Sequence, residues 1–497
     1  MRTRLLLLLL PGLLCAQSLQ DFEKKVTSFT LPNGLQFLVI ERHDAPVVSF
    51  HTYVNAGAVD DPGGSTGLAH MFEHMAFKGT PQIGSKNWVK EKAALDAIER
   101  AYDRLEAERN KSFRSDKAKI AQLEAALKDA IATADSYVES NEYDRIVESN
   151  GGVGMNAGTS EDSTQYFYSF PSNRLELWFL MESERFLRPV LREFYKERDV
   201  VREERRMRVE SNPQGMLVEA LLATAFEAHP YHNFAGGWAS DIESFRRTDA
   251  EAFFKKYYVP GNMVISIAGD VNPTQAKALA QKYFGRIPAG KNPPLVRTVE
   301  PEQNGEKRVK VASPAQPFLV VGYKRPDDQS PDAPALDVLT EILSGGRTGI
   351  LYKEMVRDQQ IALAAQAIST YPGSKYPSLF LLFAIPNTGK TVEETEKALY
   401  SILERVKGET VDPVALQRVK TKLRAGLIQS LDDNSGLADT LASYQAKYGD
   451  WRKVFTELDE YNKVTAADVQ RVAKQYLIET ARTVAWTYAP QAEGAAK

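Results

Sequence analysis

Two of the chain's six histidines stand four residues apart in GLAHMFEHMAFKGT (67–80), with Glu73 immediately before the second. On a helix, residues four apart lie on one face, about one turn along the axis. His70 and His74 can therefore present two imidazoles to one metal ion. Zinc takes two imidazoles and one carboxylate and keeps a fourth position for water. Such an ion lowers the pKa of its water toward neutrality and polarises a carbonyl. Glu73, on the same side, can take that proton and pass it to a leaving amine. The set supports hydrolysis of a peptide bond, and the order H-x-x-E-H is an inverted zincin signature. Two blander alternatives are incidental helix histidines and a closed structural metal site. A closed site needs no adjacent base, so Glu73 argues for the catalytic reading.

A third ligand has to come from elsewhere in the chain. FYKERDVVREERRMRVESNPQG (194–215) is helical in pattern and dense in acids. Glu197 and Glu204 are two turns apart and share a face, with Val201 between them, while Glu203 points about a quarter-turn away. The blander reading of this stretch is a solvated helix laced with local ion pairs.

The elements that must position these residues follow from the pattern. Residues 28–58 read as paired strands around an LPNG turn. The motif helix follows, with Ser65 or Thr66 as its cap. Residues 86–148 are rich in Ala, Glu, Lys and Leu, with apolar residues at three- and four-residue spacing on either side of NKSFRSDK; this predicts a hairpin of two long helices. Its charge density predicts a solvated spacer rather than a docking arm. GGVGMNAGTSEDSTQYFYSF (151–170) ends in a strand, Pro171 to about Ser211 reads as one long helical stretch, and YYVPGNMVISIAGDV (257–271) ends in a very apolar strand. Residues 286–306, rich in Pro and Gly, read as a linker. The second half reruns the same plan at low similarity, which predicts an internal duplication. It carries no histidine, so imidazole chemistry belongs to the first half.

Composition bounds the rest. The chain has 497 residues, 43% hydrophobic and 26% charged, with a net charge of −3; no strong field points to nucleic acid or an anionic membrane. MRTRLLLLLLPGLLCAQS has the three-part form of a secretory signal peptide, with cleavage expected near Ala16. A lipid anchor on Cys15 is the rival, and Leu14 fits it poorly. Cys15 is the only cysteine, so the mature chain is expected to be exported, periplasmic or secreted, without disulfides. No later stretch has the length of a membrane span.

The motifs together resemble the pitrilysin/insulinase family of zinc metallopeptidases, which includes the mitochondrial processing peptidase. The resemblance covers nearly the whole mature chain and rests on H-x-x-E-H followed by MAFKGT, on GGVGMNAGTSEDSTQY, ERDVVREERRM and HPYHNFAGG (229–237), and on YVPGNMVISIAGDV. It implies an α+β fold of two homologous domains, each a mainly antiparallel sheet with helices on one side. The expected boundaries are a signal at 1–16, a zinc-binding domain at 26–287 with a helical insertion at about 86–148, a linker at 288–306 and a domain without metal at 307–490. It further implies one zinc ion held by His70, His74 and Glu204, with Glu73 as the base and Glu197 as the acid that orients a ligand. Asn156 and Ala157 would bind peptide on an edge strand.

Two departures from the family pattern stand out. His74 and Glu204 are 130 residues apart where the family spaces them by about seventy-six, an excess the hairpin accounts for. The family also completes its site with an Arg and a Tyr seven residues apart; here Arg357 is present but Ala364 stands seven residues on. The resemblance therefore implies a zinc-bearing subunit whose companion chain supplies an Arg/Tyr pair, or else a homodimer. Substrates would be peptides or unfolded segments. The alternatives are a non-catalytic peptide-binding scaffold and a protease dedicated to one precursor.

Overall fold

The structure, a computed structural model, describes residues 22–490. The expected signal segment and Cys15 lie outside these residues. The first half forms a six-stranded sheet from β1 (Val26–Thr30), β2 (Gln36–Glu41), β3 (Val47–Val54), β4 (Val153–Thr159), β5 (Thr164–Pro171) and β6 (Met263–Gly269), in the order β1-β2-β6-β3-β5-β4. The second half forms a five-stranded sheet from β7 (Lys307–Ala312), β8 (Leu319–Arg325), β9 (Ala362–Tyr371), β10 (Ser378–Pro386) and β11 (Arg482–Tyr488), in the order β7-β11-β8-β10-β9. Each sheet has one parallel pair, β2–β6 and β7–β11, and is otherwise antiparallel. Removing β1 makes the two strand orders superimpose one for one. The duplication read from the sequence is thus visible as topology.

Helices of the first half are α1 (Leu68–Met75), α2 (Trp88–Arg109), α3 (Lys117–Asp135), α4 (Glu142–Ser149), α5 (Leu175–Leu187), α6 (Phe194–Arg205), α7 (Pro213–Ala225), α8 (Ala239–Ser244), α9 (Arg247–Tyr257) and α10 (Pro273–Tyr283). The second half adds α11 (Ala333–Ser344), α12 (Val392–Gly408), α13 (Pro413–Ser430), α14 (Asn434–Tyr448), α15 (Lys453–Lys463) and α16 (Ala466–Tyr476). The stretch expected as one helix from Pro171 to Ser211 is two, α5 and α6. Pro189 lies in the break, and Glu193 takes a left-handed φ of 55° at the start of α6.

Successive residues of a strand point to opposite faces, and the cores follow that alternation. On one face of the first sheet, Phe37, Val39, Phe50 and Ile267 pack under the first half's own helices, with Phe72, Trp178 and Phe179. On the other face, Leu38, Ile40, Tyr53, Val264 and Ala268 are covered by Leu437, Ala438, Leu441 and Trp451 of the second half. The second sheet mirrors this. Val321, Phe380, Leu382 and Val484 pack under its own helices. Val320, Leu379, Leu381 and Ala485 are covered by Leu217, Leu221, Leu222 and Ala225 of α7, from the first half. Each half lends the other a helix. A polar clasp adds to the exchange: Asp162 accepts from Tyr231 Oη (2.5 Å) and from the backbone nitrogens of Ser374 (2.7 Å) and Lys375 (3.0 Å).

The charge-rich hairpin is not simply solvated. Ala94, Leu95, Ile98 and Tyr102 of α2 join the first core, and Glu91 forms a buried ion pair with Arg192 (2.7 Å). Arg192 also donates to the carbonyls of Lys78, Thr80 and Ile83, so the hairpin's foot is bonded to the loop after α1. α3 keeps mostly exposed positions, and Phe113 at the turn is 92% exposed. The region holds a third helix, α4, which the two-helix reading omitted.

Truncating a fully buried leucine of the exchanged helix removes contacts that no local element can replace. Leu441→Ala is expected to lower unfolding free energy by about 2–5 kcal/mol, read from the denaturant midpoint.

Candidate metal centre and active site

α1 buries Leu68, Met71, Phe72 and Met75, a stripe at helical spacing, and so leaves His70, Glu73 and His74 on the opposite side. Its start is set by Asp61 rather than by Ser65 or Thr66. The Asp61 carboxylate accepts from the backbone nitrogens of Gly67 (2.6 Å) and Ala69 (2.8 Å), which satisfies donors that a helix N-terminus leaves free. Thr66 donates to Asp241 through its nitrogen (3.0 Å) and hydroxyl (2.7 Å). Gly67 is left-handed (φ 89°) and packs on Gly237; a Cβ on Gly237 would lie 2.1 Å from the Thr66 carbonyl oxygen. That contact explains why the glycines of HPYHNFAGG accompany the histidine motif.

α6 packs beside α1 with Phe194, Tyr195 and Val201 buried, and aims Glu197 and Glu204 at the two histidines. His70 Nε2 and His74 Nε2 are 3.3 Å apart, and Glu204 Oε2 lies 3.6 Å from the first and 3.4 Å from the second. Donors held about 2.0–2.2 Å from a tetrahedral zinc ion are themselves about 3.3–3.6 Å apart. The three donors therefore already have the separations that the ion requires. Among the described residues, His70, His74 and Glu204 are the one group of three or more His, Cys, Asp or Glu side chains so placed. Glu203 instead faces solvent, paired with Arg206 (2.5 Å).

Glu197 Oε1 meets His74 Nδ1 at 3.0 Å, which turns Nε2 toward the cluster. Lys78 holds the other Glu197 oxygen at 2.5 Å, and Arg208 holds Glu204 Oε1 at 2.6 Å. His70 Nδ1 is buried and has no hydrogen-bond partner among the described residues.

Electrostatics mark the cluster as a place for a cation. Burial, aided by the nearby His74 charge, pushes His70 down to about 4. Burial acts the same way on His74, but hydrogen bonds to Glu197 and Glu204 outweigh it and hold the ring up at about 9. The hydrogen bond from His74 takes Glu204 down to about 2. Glu197 also lies at about 2, because its bonds to His74 and Lys78 overcome its burial. A proton on His74 thus stands in for the positive charge the acids demand. Glu73 differs: burial raises it, against a hydrogen bond from Thr159 Oγ1 (2.6 Å).

β4 is the edge of the first sheet, paired only with β5, where Asn156 faces Phe167 and Ala157 faces Tyr166. Its outer side is open, and both residues line a cleft of ≈310 Å³ together with Glu73, His74 and Lys78. Residues Val138–Asp144, after the hairpin, form another wall of it. Arg357 is not brought to the cluster. It lies in the second half, exposed and paired with its neighbour Asp358 (2.6 Å), and Ala364 stands on β9 opposite Ile385. Sequence reasoning did not single out Lys78, Thr159 or Arg208. Arg208 stands four residues beyond Glu204 on the same helical course, a usable signal; Lys78, four beyond His74, lies past the end of α1, and Thr159 reaches Glu73 only through the packing of β4 on α1.

Comparison with known proteins finds relatives along most of the chain. The family profile described as "Insulinase (Peptidase family M16)" matches residues 36–107 and 131–235, and "Peptidase M16 inactive domain" matches 244–423. The interval between the first two segments is the outer part of the hairpin. The zinc protease PqqE of Helicobacter pylori is 28% identical over 93% of this chain and 93% of its own. The probable mitochondrial-processing peptidase subunit beta of Arabidopsis thaliana is 22% identical over 92% of this chain and 77% of its own. The crystal structure of a protease from Helicobacter pylori superposes with a TM-score of 0.78 at 26% identity, covering 93% of this chain and 99% of that one.

Three substitutions separate the roles in the cluster. Glu204→Gln is expected to weaken zinc binding most, Glu197→Gln by about 10–100-fold, and Glu203→Gln not at all, as measured by competition with a chelator. Because ligands must be deprotonated, zinc uptake near neutral pH is expected to displace about one proton, that of His74. Zinc affinity then rises with pH and levels off only above about 9, where His74 has lost its proton; calorimetry in buffers of different ionisation enthalpy reads the proton.

Proposed function

The chain belongs to the insulinase (peptidase M16) family, and on that premise we propose that it is a zinc-dependent endopeptidase or oligopeptidase acting on peptides and unfolded segments. The observation that carries this reading is the convergence of His70, His74 and Glu204 at tetrahedral spacing with Glu73 beside them. In this reading one zinc ion, bound by those three residues, supplies Lewis acidity that polarises the scissile carbonyl and acidifies a water. Glu73 accepts the proton of the attacking water and returns it to the departing amine nitrogen, so that acid and base are one carboxylate in two states. Glu197 keeps His74 oriented, and Lys78 keeps Glu197 charged and in place. The open side of β4, at Asn156 and Ala157, receives the peptide as an added strand. The raised pKa of Glu73 suits a base that must also give its proton back.

We further propose that this is the zinc-bearing subunit of a two-chain peptidase. The cleft is lined wholly by residues between Glu73 and Glu197, and the second half adds nothing to it. Arg357 faces away into its own ion pair, and Ala364 offers no hydroxyl for a developing oxyanion. A relative that is itself named a subunit supports the same reading. No helix of the described residues is long and apolar enough to cross a membrane, and the leader pattern of residues 1–16 supports export to a periplasm or secretion.

The test is cleavage of a mixed unstructured peptide pool by the zinc-loaded chain, alone and with candidate companion chains, beside Glu73→Gln. The variant is expected to bind zinc normally and to lose cleavage by at least about a hundredfold. Cleavage only in the presence of a companion supports the two-chain reading. Full cleavage by the lone monomer overturns it, and cleavage that survives Glu73→Gln overturns the assignment of the base.

A further inference from the structure

Glu73 sits half-buried on the cleft side of a two-turn helix, and a glutamate has several rotamers open to it there. Catalysis by such a group requires its oxygen within about 2.6–3.2 Å of the proton it takes. One hydrogen bond restrains it: Thr159 Oγ1 donates to Oε2 at 2.6 Å, and no other described residue hydrogen-bonds that carboxylate. Thr159 is the last residue of β4, opposite Thr164 of β5. It lies on the same strand face as Met155 and Ala157, which pack toward the core, while the strand's outer edge stays open. The strand that would receive the peptide is therefore also the strand that holds the base.

The duplicated half provides an internal comparison. There Ser369, near the end of edge strand β9, donates to Asp337 of α11 at 2.5 Å. By strand order β9 corresponds to β4, and α11 precedes it as α1 precedes β4. In that copy the second carboxylate oxygen lies 3.1 Å from Tyr461 Oη, whose shorter bond of 2.5 Å goes to Glu457. In the first half the second oxygen of Glu73 is left without a hydrogen bond, and the carboxylate lines the cleft. The same tether thus serves a closed network in one half and an available carboxylate in the other.

We propose that Thr159 is a positioning residue for Glu73, fixing the carboxylate beside the metal cluster and locking it in register with the peptide-receiving edge of β4. The proposal rests on Glu73 being the base.

The test uses whichever preparation cleaves peptide, the chain alone or with its companion, and compares wild type with Thr159→Val, Thr159→Ser and Glu73→Gln. Thr159→Val removes the donor at nearly constant volume. It is expected to lower kcat by about tenfold or more, with KM changed less than about twofold and bound zinc unchanged. Thr159→Ser keeps the donor and is expected to recover most of kcat. A readout without turnover accompanies these. Thr159→Val should lower the melting temperature in the wild-type background but not in a Glu73→Ala background, since the partner is then already gone. Wild-type kcat in Thr159→Val, a raised KM at constant kcat, a serine variant as poor as valine, or additive melting shifts would each overturn the proposal. If Glu73→Gln cleaves as wild type does, the reading of the base fails first and takes the proposal with it. If Glu73→Gln is inactive while Thr159→Val is unimpaired, only the proposal fails.

Discussion

A sheet has two faces, and the helices that a βαβ chain lays down as it winds cover only one of them cheaply. Both sheets here carry apolar residues on both faces, because Leu38 and Ile40 alternate with Phe37 and Val39, and Val320 alternates with Val321. The second face of each must be buried by something, and the chain solves this by exchange: α14 lies on the first sheet and α7 on the second. Neither sheet is fully buried without the other half. The Asp162 clasp, which accepts from Tyr231 on its own side and from two backbone nitrogens across the junction, fixes their relative placement. The whole chain is consequently the unit that holds the site, although every residue of the cleft lies in the first half.

Exchange covers faces and leaves edges. β4 and β9 end their sheets with unpaired backbone groups on one side, and unpaired edges are ready to accept another strand. In the first half that open edge runs past α1, whose His70 and His74 meet Glu204 of α6. Concentrating two imidazoles and two acids there would be costly if each were alone. Here every acid has a cationic partner: Glu197 has Lys78, Glu204 has Arg208, and both share His74. The cluster is balanced by charge and spacing before any ion arrives.

The spacing of the histidine motif and of Glu197 and Glu204 was legible because a helix converts separation in sequence into a shared face. The strand plan and the duplication were legible through alternation and repeated order. What the sequence hid were relations between elements distant in the chain. The cap of α1 comes from Asp61 across a loop, although Ser65 and Thr66 stand nearer. Pro189 splits a continuous helical pattern, and the foot of a charge-rich hairpin is buried through the Glu91–Arg192 pair. Nothing in the pattern of α7 or α14 says which sheet an amphipathic helix will cover, so the exchange could be seen only in three dimensions.

The two halves also explain why one copy carries the chemistry. Both keep a hydroxyl on the edge strand bonded to a carboxylate on the preceding helix, Thr159 to Glu73 and Ser369 to Asp337. In the second half that carboxylate is closed off by Tyr461, and burial pushes it up to about 6. With no histidine on α11 there is no ligand pair for it to serve. Both Asp337 oxygens have hydroxyl neighbours and the group is buried, so it does not face a cleft. The same tether, with one oxygen left open and two imidazoles on the neighbouring turn, leaves Glu73 able to exchange a proton. With the base role proposed for Glu73, the two halves differ in burial and in two histidines, set on a strand and helix arrangement that both share.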